Sequence, residues 1–169
     1  MRMDKLTSKF QLALQDAQSL ALRHDHQHME PVHVMVALID QDGGSARGLL
    51  SKAGVNINAL RSQLGEEVDN LPVVTGGDAG DVHVSSDLNR LLNITDKLAQ
   101  KRDDQYISTE IFILAASEDK GKLGKALKAN GATKEIMEKA IDDIRGGQNV
   151  DDPNAEDQRE ALDKYTTDL

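Results

Sequence analysis

The chain has 169 residues, a net charge of −9, no cysteine and four aromatic residues (Phe10, Tyr106, Phe112 and Tyr165). Length favours one domain plus a tail, with a core of Leu, Ile, Val, Ala and Met. The acidic balance disfavours nucleic-acid backbones, the lack of cysteine excludes disulfides and thiolate chemistry, and no apolar run suits a membrane span or a signal peptide. The expectation is a cytoplasmic protein that engages neither nucleic acid nor membrane.

In chain order, the first element is a helix from Thr7 to about Arg23. Phe10, Ala13, Leu14, Ala17, Leu20 and Ala21 recur at helical spacing, and the Thr7 hydroxyl suits the N-cap. Leu12 and Leu22 lie off that stripe, which predicts burial on more than one face. A second helix starts after Glu30-Pro31, a short third lies around Gly48–Ala53 before Gly54, and a fourth covers Ile57–Leu71.

After the Gly-rich loop Pro72–Gly80 the series begins again. A shift of 78 places Ser8 on Ser86, Phe10 on Leu88, Leu14 on Leu92, Ala21 on Ala99, Asp25 on Asp103, Met29 on Ile107 and Val34 on Phe112. After one deletion Gly54 meets Gly131, Leu60 meets Met137 and Leu64 meets Ile141. The chain therefore reads as an internal duplication. The expected fold is all-α: two four-helix repeats related by a pseudo-twofold, over about 1–72 and 82–145. No sustained alternation points to a sheet. Residues 146–160, acidic and opened by Gly146-Gly147, read as a flexible linker. Residues 161–169 regain apolar character, as at the entry to another domain.

These stretches carry a resemblance. Leu6–Ala21 and Met29–Leu38 resemble the N-terminal domain of Clp-family AAA+ ATPases. Asp96–Arg102, Tyr106–Ser108, Ala155–Arg159 and Lys164–Leu169 resemble its disaggregase branch in particular. The resemblance implies a chaperone that forms a homohexameric ring, uses ATP and Mg²⁺, threads aggregated polypeptide and works with the DnaK system. Residues 161–169 would open its first ATPase module. The sequence itself holds no Gly-x-x-x-x-Gly-Lys-Ser/Thr, and Gly121-Lys-Leu-Gly124-Lys125 has the wrong spacing. The chain thus reads as a substrate-engaging domain with no catalytic residue, no metal and no cofactor of its own, monomeric in isolation. It would bind unfolded or aggregated polypeptide; the alternative is a docking module for folded adaptors.

Site candidates come from two sources. The resemblance places Thr7, Asp104 and Glu110 in aggregate handling, although Thr7 serves equally as an N-cap. Geometry selects Ile94, about 100° off the stripe of its helix and matched by Asp16 in the first repeat, as part of an exposed apolar groove. Leu92 and Ile111 are its candidate neighbours. His24, His26 and His28 alternate in the turn after the first helix, but His28 takes the position of Tyr106, which reads as packing rather than metal binding.

Overall fold

A computed structural model describes residues 3–74 and 82–156. Its helices are α1 (Ser8–Arg23), α2 (Pro31–Asp40), α3 (Ala46–Lys52), α4 (Ile57–Asp69), α5 (Ser86–Lys101), α6 (Thr109–Ser117), α7 (Lys122–Ala129) and α8 (Lys134–Arg145). A 3₁₀ turn at Met3–Lys5 and two strands of two residues, β1 (His28–Met29) and β2 (His83–Val84), complete the described elements. Residues 75–80 of the Gly-rich loop, 157–160 of the expected linker and 161–169 lie outside the described residues.

Side-chain caps start the long helices. The Thr7 hydroxyl accepts the Phe10 N–H and the Ser85 hydroxyl accepts the Leu88 N–H, with nearly identical backbone angles (φ −63° and −67°, ψ 157° and 159°). Asp25 and Asp103, one repeat apart, are both left-handed (φ 58° and 61°), a conformation that Asp tolerates better than most residues. Each lets the next N–H turn back to its helix, His26 to Ala21 O and Asp104 to Ala99 O, both at 2.9 Å. The central helices α2 and α6 are buried along almost their whole length.

The two repeats exchange contacts as a twofold pair does. Helix α2 packs on α7 while α3 packs on α6, and α4 packs on α7 while α3 packs on α8. The chain before each long helix crosses to the other repeat. Leu6 pairs with Ile107, and Val84 pairs with Met29, each partner shifted by one repeat. Thr7 N–H donates to Ile107 O at 3.0 Å, and Ser85 N–H to Met29 O at 3.1 Å. Ladders this short leave no alternation in the sequence. The rings of Phe10 and Phe112 meet edge to face at 5.5 Å, joining α1 of one repeat to α6 of the other.

Two expectations need correction. Leu12 (49% exposed) and Leu22 (40%) face solvent, so α1 is buried on one face only; the space beneath it is already filled by α2 and α6. Residues 146–156 are also not a free linker. Left-handed Gly146 and Gly147 (φ 57° and 88°) turn the chain back over the body. The Val150 carbonyl accepts the N–H groups of Gln105 and Tyr106 at 2.9 and 3.1 Å, and the Pro153 carbonyl accepts that of Ser8 at 2.9 Å. Val150 and Glu156 are buried. Composition hides this, because two well-placed side chains anchor an otherwise polar segment.

Candidate functional site

The starts of α1 and α5 flank an open groove of about 470 Å³. Gln11, Leu14, Gln15 and Gln18 line it from α1, Asn89 and Leu92 from α5, and Leu6, Val84 and Met29 from the crossing strands. None of these residues is charged, although the chain carries −9 overall. Leu6 and Val84, Gln11 and Asn89, and Leu14 and Leu92 are pairs related by the repeat, so the groove straddles the pseudo-twofold. A twofold that exchanges the walls of a groove reverses the direction along it. Leu6, Leu14, Met29 and Leu92 are recessed, whereas Val84 is half-exposed. The Gln11 amide donates to Leu6 O at 3.0 Å, which fixes one rim group. An apolar floor with amide rims suits a short apolar segment: the floor takes side chains, and the amides can meet peptide groups.

The sequence candidates scatter relative to this groove. Leu92 lines it. Ile94 is 40% exposed but is not among the groove's lining residues; two positions on from Leu92, it points about 200° away around α5. Ile111 is fully buried in the core. Thr7, Asp104 and Glu110, which the resemblance assigned to aggregate handling, are buried in two polar clusters.

The first cluster surrounds Arg145. Its guanidinium lies 3.0 Å from both Asp104 Oδ2 and Glu110 Oε2, with the Ser108 hydroxyl at 3.4 Å. Asp104 Oδ1 also accepts the Val150 N–H at 3.0 Å. The second surrounds Glu156. Its Oε1 accepts from the Thr7 hydroxyl (2.7 Å) and the Thr109 N–H (3.0 Å). Its Oε2 accepts from the hydroxyls of Ser45 (2.8 Å) and Thr109 (2.5 Å). Sequence reasoning missed Arg145 and Glu156. One signal was present: Glu110 and Arg145 replace Val32 and Val68 at equivalent positions of the first repeat, a paired change from apolar to charged.

The histidines form a packed pair. The His33 Nδ1 accepts the Glu30 N–H at 2.8 Å, so its Nε2 carries the proton and donates to His26 Nδ1 at 2.9 Å. Burial, and then the neighbouring His26 and His24, pull the His33 pKa down to about 4. Among the described residues no group of three or more His, Asp or Glu side chains is placed to hold a metal ion.

Fold and groove together define an all-helical domain made by duplication, with a groove on its internal twofold that is lined, among the described residues, by uncharged side chains. The family model described as "Clp repeat (R) N-terminal domain" matches residues 5–130, and the chain belongs to that family. It is 58% identical over all 169 residues to "Chaperone protein ClpB" of Vibrio cholerae and spans about a fifth (20%) of that relative's length. Among solved structures it resembles the Hsp104 N-terminal domain from Candida albicans, with a TM-score of 0.78 and 18% identity over 90% of this chain and 99% of that one. It also resembles the N-domain of ClpV from Vibrio cholerae, with a TM-score of 0.68 and 21% identity over 82% and 84%.

Proposed function

We propose that this chain is the substrate-engaging domain of an ATP-dependent disaggregase, and that it captures apolar segments of unfolded or aggregated polypeptide in the groove between α1 and α5. The observation that carries this reading is the groove itself: recessed leucines under uncharged amides in a strongly acidic chain. Whole-length similarity to a protein described as a chaperone supports the same reading. In the longer protein, ATP and Mg²⁺ act elsewhere, on a cytoplasmic hexameric ring that works with the DnaK system. Each contact is weak, because a site that must accept many sequences gains little from one close fit. Linked copies in a ring raise the effective concentration. Without charge in the groove, binding changes little with salt.

The test is chemical-shift mapping of the domain with unfolded casein. Val84→Ser removes an exposed groove side chain at little cost to the fold and is expected to weaken binding several-fold with an unchanged melting temperature. Ile94→Ser, off the groove, leaves binding unchanged. Shifts clustered away from Leu14, Val84 and Leu92 refute the assignment. A silent groove together with tight binding of a folded adaptor supports the docking-module alternative.

A further inference from the structure

The Glu156 carboxylate sits where three helices begin. Thr7 is the N-cap of α1, Ser45 the N-cap of α3, and Thr109 the first residue of α6. Among the described residues the carboxylate has four contacts, three hydroxyls and one backbone N–H, and none is a cation. The starts of α1, α3 and α6 bring partial positive charge to the carboxylate. The side chain is 1% exposed.

Between Val150 and Glu156 the chain touches the body lightly. The Pro153 carbonyl accepts the Ser8 N–H at 2.9 Å, and the Asn154 side-chain carbonyl accepts the Ser8 hydroxyl at 2.9 Å. Residues 151–155 are exposed or half-buried. At Val150 the hold is of a different kind: two backbone bonds from Gln105 and Tyr106, one bond to Asp104, and a buried apolar side chain. The segment is thus held at two ends, through backbone and apolar burial at Val150 and through side-chain hydroxyls at Glu156.

We infer that residues 151–156 form a latch that hinges at Val150 and bolts through Glu156 into the socket of Thr7, Ser45 and Thr109. Release returns one carboxylate, three hydroxyls and the Thr109 N–H to water, so the groups lost from one another regain solvent partners. The closed latch fixes Glu156 beside the start of α1. Opening adds six residues of free chain, about 20 Å of reach at full extension. Thr7, whose neighbour Leu6 lines the groove, is then a positioning residue for the departing chain.

The experiment is residue-resolved amide hydrogen exchange on the 169-residue chain. The key reporter is the Ser8 amide, whose acceptor, the Pro153 carbonyl, no substitution removes. Glu156→Ala is expected to speed Ser8 exchange at least tenfold while Gln105, Tyr106 and the interior of α2 keep their protection. Ser45→Ala, which removes a hydroxyl that accepts no N–H of α3, is expected to move Ser8 the same way by less. Unchanged Ser8 exchange in Glu156→Ala overturns the inference, because the segment then stays down without its bolt. Equal acceleration at Ser8, Gln105, Tyr106 and α2 overturns it too, because Glu156 would then support the whole fold rather than a latch.

Discussion

Arg145→Ala tests how burial sets the worth of an ion pair, because the chain carries its own control. Arg145 meets Asp104 and Glu110 at 3.0 Å with side-chain exposures of 5%, 0% and 1%. Arg61 meets Asp40 through two bonds of 3.0 Å, but the side chains are 37% and 47% exposed. Distances match; solvent does not. Removing Arg145 takes the buried guanidinium away from two buried carboxylates, which is expected to cost about 3–5 kcal/mol. Arg61→Ala is expected to cost roughly 0.2–1 kcal/mol, because its partner stays hydrated. For a domain of this size, the loss at Arg145 lowers the melting temperature by roughly 6–20 °C. The chain has no tryptophan, so the assay is urea unfolding followed by far-UV circular dichroism, with the midpoint shifting at constant slope. The first repeat supplies the rescue. Val32 and Val68 are buried where the second repeat has Glu110 and Arg145. The triple variant Asp104→Asn, Glu110→Val, Arg145→Val is therefore expected to recover most of the loss, a non-additive result. If Arg145→Ala costs no more than Arg61→Ala, or if the triple variant is less stable than the single one, the reasoning fails.

Acid should weaken the fold before carboxylates titrate. His33 binds a proton near pH 6.5 when unfolded but only near pH 4 when folded, so its contribution is complete above pH 6.5 and is lost as pH falls toward 4. Between pH 7 and pH 5 the expected loss is about 2 kcal/mol. His33→Ile, the residue at the equivalent position 111, should flatten most of that slope in urea titrations; an unchanged slope assigns the effect elsewhere. The self-mapping groove makes a separate prediction: an extended apolar peptide binds in both directions. A spin label on either peptide terminus should broaden resonances at both ends of the groove, whereas each label broadening one end alone indicates a single orientation.

Much of the architecture was legible in the chain because its determinants are local. Helical stripes, the hydroxyl caps and the recurrence after 78 residues all lie within a few positions of the elements they specify. The duplication also implied reciprocal packing, since each repeat leaves apolar surface that only the other covers. The groove was harder to read. Leu14 and Leu92 belong to core stripes, so their pattern says buried; the opening between them arises where two stripes face each other across the twofold with no side chain of the described residues to fill the gap. Ile94, off its stripe, signalled exposure correctly but not membership of the groove. The polar residues depended most on distance. Thr7 meets Glu156 across 149 residues, and Asp104 and Glu110 meet Arg145 across 41 and 35. A sequence shows which side chains are charged and which helix face is apolar, because both are properties of short segments. Whether a charge lies in water or against its counter-charge, and whether an apolar face is covered or left open, is decided by partners brought from far along the chain.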